Sequence, residues 1–378
     1  MDILILGNGF DLAHGMETSY KDFLNFCKNS NKEESEVNPC FKECCKTNLW
    51  MKHFLEKLQN NDNNIINRGK NWIDLEKEIY NVISSQNIKN ADTFPILIQV
   101  PFFNDHFIFG NLFEYKIDIN HIPEVGDKGY TTKVYSDPGY SFYVYVETYN
   151  GFINFLYDQL REFTKIFENY LLKIAQKKVN SSQYILSLKD GGIPQNVRSV
   201  QGLSFNYTDT CERLYDPTSN WYSKYNIKPI YVHGKAGSIK TCNMVFGTHS
   251  FKNNDAKNIA FNIPVEWNVF KKYHQRHRYG TIEAYQQLLR EIKDYNREVT
   301  FHIVGHSLDE TDRVILEHIL NANENSIIKI YYHNEEAHVR LINNIEEIIG
   351  EKEVMSRVQF IYQHDQQRGI LRKLSGTA

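Results

Sequence analysis

A short apolar run at the amino terminus, ended by two closely spaced glycines, constrains this fold more than any other feature. No polar residue interrupts Ile3 to Leu6, and Gly7 and Gly9 follow at once. An unbroken apolar run is typical of a strand buried on both faces, as in a parallel sheet. Glycine allows backbone angles and close approaches that a side chain forbids, so we predict that this strand ends in a tight turn.

The glycine spacing alone leaves two interpretations open. A buried first strand that ends in a glycine turn is how dinucleotide-binding α/β folds bring backbone N–H groups to phosphates. The full G-x-G-x-x-G pattern is absent, however, because the glycine that follows Gly9 is Gly15. The same residues would equally form an ordinary turn between a strand and a loop.

The residues around these glycines carry a more specific signal than their spacing. They read Gly7-Asn8-Gly9-Phe10-Asp11-Leu12-Ala13-His14-Gly15 and continue with Thr18-Ser19-Tyr20 and Phe23. This opening closely resembles that of the AbiH-type family of bacteriophage abortive-infection proteins. The resemblance implies a bacterial protein that acts in defence against phage.

The same opening is similar, more loosely, to the Gly-Ala-Gly opening of sirtuins and sirtuin-like NAD hydrolases. In those proteins a phosphate-binding turn is followed by a small loop and a Phe, to which Phe10 corresponds. The likeness implies that NAD is the substrate or ligand. It also implies that Asp11 or His14 borders the nicotinamide ribose, and that the pyrophosphate lies against Gly7, Asn8 and Gly9.

Size and charge exclude several classes of protein. The chain has 378 residues, 41% of them hydrophobic, which is enough for a substantial core in one or two domains. Its 43 Lys and Arg against 46 Asp and Glu leave a net charge of −3, which predicts no general attraction to nucleic acid or membrane. The Ile3–Leu6 run is too short for a signal peptide, and no uncharged apolar stretch approaches the ~20 residues of a membrane helix. We therefore expect a cytoplasmic protein without a membrane partner.

The six cysteines include no C-x-x-C pair. Cys40, Cys44 and Cys45 cluster, which leaves a metal site open, but a structural zinc site usually shows two spaced pairs. We predict reduced thiols and no bound metal. Sirtuin deacylases carry a four-cysteine zinc ribbon, so the missing pairs also argue against a deacylase.

Two regions of the sequence differ in their residue pattern, and each pattern predicts a different kind of sheet. Residues 93–147 are crowded with Phe and Tyr and broken by Gly and Pro, a pattern that favours short antiparallel strands. After Val197, short apolar runs alternate with helices, which predicts a doubly wound, mostly parallel, Rossmann-like sheet flanked by helices. We expect one α/β domain over residues 1–378, sirtuin-like by resemblance, with a β-rich insertion at 93–147.

Ligands of such sheets lie beyond the carboxyl ends of the strands, so the residue that follows each apolar run matters most. Asn206 follows one run and resembles the catalytic Asn of the sirtuin Gln-Asn-Ile-Asp motif. His233, with Gly234, follows the next and resembles the catalytic His-Gly of sirtuins. Thr208 stands at the acidic position of the motif, and Asp209 is displaced by one residue and is expected to cap a helix.

Two later apolar runs are also followed by residues that resemble ligand-binding residues of sirtuins. Gly305-His306-Ser307-Leu308 resembles the sirtuin Gly-Thr-Ser-Leu turn, which implies that Gly305 and Ser307 contact the ribose and phosphates; the other interpretation is an ordinary capped turn. Asn334 follows a further run and resembles the Asn that binds the adenosine ribose.

Glu76 is an anomaly in a helix predicted over Trp72–Ser84. Its neighbours three and four positions away are Trp72, Ile73, Ile79 and Tyr80. A carboxylate in such an apolar stripe either pairs with a cation, such as an arginine, or has a raised pKa and points into an active site. The basic cluster at 271–278 has two interpretations as well, a contact to nucleic acid or nucleotide phosphate and a solvated face.

Together these features predict a phage-defence effector that binds NAD or a related nucleotide and hydrolyses the nicotinamide glycosidic bond. Asn206 would hold the attacking water and a ribose hydroxyl, and His233 would act as the base. Glu76 would offset the positive charge that develops on the sugar. The alternatives are a non-catalytic nucleotide-sensing module that recruits a partner, a nucleic-acid-binding defence protein, and a scaffold that has lost the chemistry. The expected partners are a nucleotide and a phage-derived trigger, and a homo-oligomer is left open.

Overall fold

The computed structural model describes residues 1–30, 48–63, 75–85, 96–101, 127–131, 141–178, 184–186, 199–215, 226–237, 242–248, 265–363 and 371–373. The chain divides into two compact units. The first comprises Met1–Ser19, Glu168–Val245 and Arg276–Ala378, and the second comprises Tyr20–Phe167 and Phe246–Gln275. The expectation of one domain over residues 1–378 stays a prediction, because a division into compact units does not decide the number of domains.

The described helices and strands run from β1 near the amino terminus to β11 near the carboxyl terminus. They are β1 (Asp2–Leu6), α1 (Asn8–Ala13), α2 (Tyr20–Ser30), α3 (Leu49–Asn63), α4 (Leu75–Ser85), β2 (Ile96–Pro101), β3 (Tyr130–Thr131), β4 (Ser141–Val146), α5 (Tyr149–Lys178), β5 (Tyr184–Leu186), β6 (Ser199–Ser204), α6 (Thr210–Tyr215), β7 (Asn226–Tyr231), α7 (Lys272–Tyr279), α8 (Ile282–Asp294), β8 (Thr300–Val304), α9 (Arg313–Leu320), β9 (Ile327–Tyr332), α10 (Glu335–Ile349), α11 (Glu351–Arg357), β10 (Val358–Tyr362) and β11 (Leu371–Lys373). Two 3₁₀ helices cover Val265–Phe270 and Glu310–Asp312.

A six-stranded sheet organises the first unit. Its strands lie in the order β10-β9-β8-β1-β6-β7, and every neighbouring pair is parallel. The amino-terminal run forms the inner strand β1, whose Ile5 lies opposite Leu203 of β6 and Ile303 of β8. All four residues from Ile3 to Leu6 are fully buried, which confirms the strand buried on both faces.

Side chains cover both faces of this sheet, because successive residues of a strand point to opposite sides. Ile3 and Ile5 belong to a hydrophobic cluster that includes residues of α8, α9 and α10. Leu4 and Leu6 belong to a different cluster, to which α1 contributes Phe10 and α6 contributes residues 211 and 215. The mixed α/β class with a parallel sheet flanked by helices is therefore confirmed.

The second unit combines helices with a small antiparallel sheet. Strands β2, β4 and β3 pair antiparallel in that order within residues 93–147, where the sequence pattern favours such strands. Residues 102–126 and 132–140 of this segment lie outside the described residues. Aromatic side chains form the core, as in the Phe23 and Phe167 rings, whose centroids are 4.8 Å apart.

In the part of the chain that the structure describes, no helix combines the length and the apolar character needed to cross a bilayer.

Candidate functional site

The carboxyl ends of the parallel strands bring together residues that are far apart in the sequence. Asn206, just beyond β6, donates a hydrogen bond from Nδ2 to the carbonyl oxygen of Gly7, just beyond β1, over 3.0 Å. The residues on either side of Asn206 contact the imidazole of His233: the Phe205 ring centroid is 5.5 Å away and the Tyr207 centroid 6.1 Å away. The predicted amide and imidazole therefore share the edge of the sheet at which Gly7 lies.

The turn that follows β1 and the turn that follows β8 contact each other so closely that both need glycine. Gly9 N–H donates to the Gly305 carbonyl over 2.8 Å. A Cβ atom on Gly7 would lie 2.5 Å from the Cα of His306, and one on Gly305, whose φ is +67°, would lie 2.2 Å from the Phe10 nitrogen. No side chain fits at this contact, and α1 begins directly after Gly7.

Several amides of the glycine turn already have protein partners. Gly7 N–H donates to the Val304 carbonyl, Gly9 N–H to Gly305, and Phe10 N–H to Gly7, over 3.1, 2.8 and 2.8 Å. The Asn8 side chain is engaged as well, since its Oδ1 accepts from the Thr18 hydroxyl over 2.6 Å. A pyrophosphate contact by Gly7, Asn8, Gly9 and Phe10 stays a prediction, and it would have to use other amides or displace these bonds.

Asp11 is a buried acid with one occupied oxygen. The side chain is 1% exposed, and its Oδ2 accepts a hydrogen bond from the Thr208 hydroxyl. The Thr208 oxygen in turn accepts from the Thr210 hydroxyl over 3.1 Å. Among the described residues, Asp11 Oδ1 has no hydrogen-bond partner and Asp11 forms no ion pair. Position 208, where the resemblance places an acid, thus holds a hydroxyl bonded to a carboxyl group from α1.

Burial sets the protonation of Asp11. Loss of solvent raises the pKa of its carboxyl to about 7, although the side chains of Thr208, Thr210 and Asn206 act in the opposite direction. The charge of Asp209 raises this pKa further. Asp209 itself forms an ion pair with Arg213, one helical turn on, over 2.6 Å.

His14 is the other residue expected beside the ribose, and both of its ring nitrogens have partners within the protein. Nδ1 lies 2.7 Å from the Phe10 carbonyl oxygen and Nε2 lies 2.8 Å from the Tyr215 hydroxyl. A carbonyl only accepts, so Nδ1 carries the hydrogen and Nε2 accepts from Tyr215. Burial lowers the pKa of His14 to about 4, which keeps the ring neutral. Within the described parts of the chain, Asp11 Oδ1 has no hydrogen-bond partner, whereas both ring nitrogens of His14 have one.

His233 is held at both ring nitrogens. Nε2 lies 2.8 Å from Asp312 Oδ1, and Nδ1 lies 3.3 Å from a terminal nitrogen of Arg276. A guanidinium only donates, so Nδ1 accepts from Arg276, and Nε2–H donates to Asp312. Arg276 and Asp312 therefore determine the tautomer of His233.

His306 approaches the same carboxylate from the β8 turn. Its Nδ1 accepts from the Leu308 N–H over 2.9 Å, and its Nε2 lies 3.6 Å from Asp312 Oδ2. Leu308 adopts a φ of 58°, a left-handed conformation uncommon for a residue other than glycine. The Phe205 ring packs edge-on to His306 at 4.4 Å. Two imidazoles thus converge on Asp312.

Sequence reasoning missed Arg276, His306 and Asp312 as members of this cluster. His306 lies inside the turn that the resemblance singled out, so its position could have indicated it. Arg276 appeared only as one of several basic residues, and Asp312 lies four residues beyond the turn that ends at Leu308. Asp309 caps the 3₁₀ helix that contains Asp312, since its Oδ1 accepts from the Glu310 N–H over 2.7 Å.

The remaining candidates for nucleotide contact have local structural partners. The Ser307 carbonyl accepts from the Asn344 amide over 2.9 Å. Asn334 caps α10, because its Oδ1 accepts from the Ala337 N–H over 2.8 Å. Contacts of Gly305, Ser307 and Asn334 with a nucleotide stay predictions.

Glu76 lies in the second unit and has a cationic partner. Its Oε2 is 2.6 Å from Lys272 Nζ, and both side chains are buried. This is the ion-pair interpretation of the apolar stripe, with a lysine in place of an arginine; a catalytic role for Glu76 stays a prediction. Lys272 and Arg276 belong to the basic cluster at 271–278, and both are buried. These two residues therefore do not form part of a solvated face, which was one of the two interpretations of the cluster.

Of the cysteines, Cys27, Cys211 and Cys242 are buried. Burial raises the pKa of the Cys211 thiol, which keeps it protonated and unreactive. The cluster of Cys40, Cys44 and Cys45 lies outside the described residues.

A family model described as Bacteriophage abortive infection AbiH matches residues 3–333. None of the curated proteins matches the chain. The matched range begins inside β1 and ends inside the β9–α10 turn, so it contains both turns and the residues that follow β6 and β7.

Proposed function

The chain belongs to the AbiH family of bacteriophage abortive-infection proteins, and we propose that it is a defence effector that binds NAD or a related nucleotide and hydrolyses the nicotinamide glycosidic bond. Family membership indicates the role in abortive infection. The chemistry is argued from the strand ends, and the observation that carries it is the 3.0 Å hydrogen bond from Asn206 to Gly7. That bond joins an amide able to orient water to the turn at which a dinucleotide would lie.

The order of the strands supports a dinucleotide. Counted along the chain, β1, β6, β7, β8, β9 and β10 are the first to sixth strands of the sheet, so the spatial order is 3-2-1-4-5-6. Doubly wound dinucleotide-binding folds have this order and bind their ligand where it reverses, between strands 1 and 4. In this sheet those strands are β1 and β8, and their glycine turns lie against each other at that point.

Asn206 and His233 would perform the chemistry. Water, oriented by Asn206, adds to the anomeric carbon as the bond to the nicotinamide nitrogen breaks, and the base removes a proton from that water. The products are nicotinamide, ADP-ribose and a proton. The carboxylate of Asp312, which accepts from Nε2–H, would stabilise the imidazolium form of His233.

The engaged nitrogens of His233 impose a condition on this mechanism. Nε2 is bonded to Asp312 over 2.8 Å, so only Nδ1 could accept a proton. Nδ1 would first have to exchange the longer, 3.3 Å contact from Arg276 for the substrate hydroxyl or water. Bound nucleotide must therefore move the guanidinium of Arg276 before His233 can act.

Nicotinamide release is the direct test. We expect phage infection to lower NAD and raise nicotinamide in cells that carry the wild-type chain, and Asn206→Ala and His233→Ala to abolish both changes and the protection against phage. Matched controls are Asn325→Ala and His318→Ala, which alter exposed residues of the same types. Full protection by the Asn206 and His233 variants would refute the catalytic proposal.

The occupied nitrogens of His233 favour one alternative, a module that binds a nucleotide without turnover and recruits a partner. This alternative predicts that the purified chain binds NAD and leaves it intact during infection, and that His233→Ala still protects. Calorimetry with NAD, followed by chromatography of the recovered nucleotide, separates the two functions.

A further inference from the structure

His306 is a buried imidazole in the turn after β8, and both of its ring nitrogens face polar groups. Nδ1 accepts a hydrogen bond from the Leu308 N–H over 2.9 Å, so Nδ1 carries no hydrogen and Nε2 does. Nε2 lies 3.6 Å from Asp312 Oδ2, an electrostatic contact that is longer than a hydrogen bond. This turn therefore directs an N–H group of His306 toward Asp312.

The backbone of the turn fixes the orientation of this imidazole. Leu308, whose N–H binds the ring, has a φ of 58°, which is uncommon for residues other than glycine. Its side chain is buried in the hydrophobic cluster that also contains Phe205 and Val232, and this packing holds the left-handed conformation. The turn after β1 packs against the backbone of His306, since a Cβ on Gly7 would lie 2.5 Å from the His306 Cα. A left-handed residue held by packing beside a candidate site indicates a functional reason for the turn.

The carboxylate of Asp312 faces two imidazoles, one at each oxygen. Oδ1 is 2.8 Å from Nε2 of His233, and Oδ2 is 3.6 Å from Nε2 of His306. The Phe205 ring packs edge-on against both imidazoles, with centroid distances of 5.5 and 4.4 Å. Because the terminal torsion of an aspartate is broad, a contact at Oδ2 narrows the directions open to Oδ1.

The tautomer of His233 depends most on Asp312 during the proposed reaction. In the structure, Arg276 donates to Nδ1 over 3.3 Å and favours the form with the hydrogen on Nε2. The reaction requires Arg276 to leave Nδ1, and a ring whose hydrogen then moved to Nδ1 could not accept a proton there. The bond from Nε2–H to Asp312 has to keep Nδ1 available at that stage.

We propose that His306 is a positioning residue that acts through Asp312 on His233. It holds Oδ2 of the carboxylate so that Oδ1 keeps the hydrogen of His233 on Nε2 and leaves Nδ1 as the base. The proton taken from water stays on Nδ1 of His233 until it leaves to solvent, and it passes neither to Asp312 nor to His306. The catalytic consequence rests on the proposed function, whereas the control of the tautomer does not.

Two substitutions of His306 separate positioning from a purely structural role. Asparagine places an oxygen near the position of Nδ1, so His306→Asn still accepts from the Leu308 N–H but lacks the donor that faces Asp312. Glutamine is longer and places an amide N–H near the position of Nε2, so His306→Gln still donates toward Asp312 but does not accept from Leu308. A structural role predicts that the asparagine variant is the milder one, and a positioning role predicts the reverse.

The first measurement is the tautomer of His233, read from the ¹⁵N shifts of histidine-labelled chain at about pH 9, where an ordinary imidazole is neutral. Arg276→Met is the background, because it represents the state in which the guanidinium has left, and His233→Gln assigns the signal. We expect the hydrogen to stay on Nε2 in Arg276→Met alone and with His306→Gln, and to divide between the two nitrogens with His306→Asn. Equal tautomer populations in the two His306 variants overturn the proposal.

The second measurement is nicotinamide release from NAD, with Arg276 in place. His306→Asn should lower kcat by up to about a hundredfold and leave KM unchanged, because the base is misdirected while no contact to the nucleotide is lost. His306→Gln should keep most of kcat. The control is His318→Asn, the same change at an exposed histidine of α9, and it should leave both constants unchanged. A wild-type kcat in His306→Asn overturns the proposal.

The outcomes keep this proposal apart from the proposed function. If the wild-type chain releases no nicotinamide, the proposed function and the catalytic consequence both fail, while the NMR measurement still decides whether His306 controls the tautomer. Should both His306 variants fail to fold, Asp312→Asn in the same background replaces the carboxylate directly. An asparagine can donate to Nε2, so we expect the hydrogen of His233 to move to Nδ1. An unchanged tautomer in that variant overturns the proposal as well, since His306 acts only through Asp312.

Discussion

Asp11 in the first unit and Glu76 in the second are both buried carboxyl groups on helices, and their neighbours make them opposites. Glu76 lies 2.6 Å from the ammonium group of Lys272. Asp11 has a hydroxyl partner at one oxygen, and among the described residues no cation pairs with it. Burial disfavours a carboxylate in both places, but an adjacent cation compensates for it in only one.

The difference separates a structural acid from a candidate functional one. A buried ion pair is neutral as a whole and gains little from binding a ligand. A buried acid without a cation changes protonation near neutral pH, and such groups cluster at sites of binding and catalysis. By this criterion Asp11 is a stronger candidate for chemistry than Glu76.

The largest effect that would sharpen this comparison is expected from Lys272→Ala. It leaves the Glu76 carboxylate buried without its cation, and removal of one partner of a buried pair lowers the free energy of unfolding by about 3–5 kcal/mol. Urea unfolding at pH 7 measures the loss. Lys52→Ala is the control, because Lys52 and Glu56 are 3.9 Å apart on a partly exposed helix face, where a pair contributes about 0–1 kcal/mol.

A double variant tests whether charge is the cause. Glu76→Met with Lys272→Met replaces both charges by apolar groups and should recover most of the stability lost in Lys272→Ala. If Lys272→Ala is as stable as the Lys52 control, Glu76 is not a paired structural acid, and its proposed part in catalysis gains support.

The next effect concerns Asp11 and depends on pH. The pKa of Asp11 rises from 3.8 to about 7 on folding, so between these values the native state binds a proton that the unfolded state has lost. The contribution of Asp11 to the free energy of unfolding is therefore complete below about pH 4 and is lost as pH rises to about 7. The shift corresponds to about 4 kcal/mol at most.

Asp11→Asn removes this dependence, since an amide does not titrate. We expect the unfolding free energy of wild type minus that of Asp11→Asn to fall between pH 4 and pH 7 and to stay level at higher pH. Neutral His14 is present in both proteins, so its own pH dependence cancels in the difference. A difference that rises with pH would mean that Asp11 has a cation partner, and the contrast with Glu76 would disappear.

The residues that follow buried strands could be predicted from the sequence. An apolar run in a parallel sheet determines where its next polar residue lies, so Gly7, Asn206 and His233 were expected at one edge. The ion pair of Glu76 was also one of two stated interpretations, because an acid in an apolar stripe needs a cation. The pattern indicated the need for a partner but not that Lys272 supplies it.

The hydrogen-bond and ion-pair partners of these residues could not be predicted, because tertiary packing determines which side chains meet. Arg276 was one basic residue among several, and only the packing of α7 brings its guanidinium to His233. Either Asp11 or His14 was expected beside a ribose, but nothing in the local sequence showed that Thr208 would bond the carboxyl group of Asp11. Hydrogen bonds between residues about 200 positions apart depend on strand order, which an unaligned sequence leaves open.

The smallest effect is expected at Asp209, the acid closest in sequence to Thr208. Its pair with Arg213 is partly exposed on both sides, and such pairs contribute about 0–1 kcal/mol, less at high salt. Asp209→Asn should therefore change the unfolding free energy by less than about 1 kcal/mol, with the loss reduced when salt is added. Because the charge of Asp209 raises the pKa of Asp11, the variant should also lower that pKa slightly. The result would differ if Asp209→Asn lost as much unfolding free energy as Lys272→Ala and the loss did not depend on salt. Asp209 would then behave as a buried acid, and Asp11 would not be the stronger candidate for a functional carboxylate near Thr208.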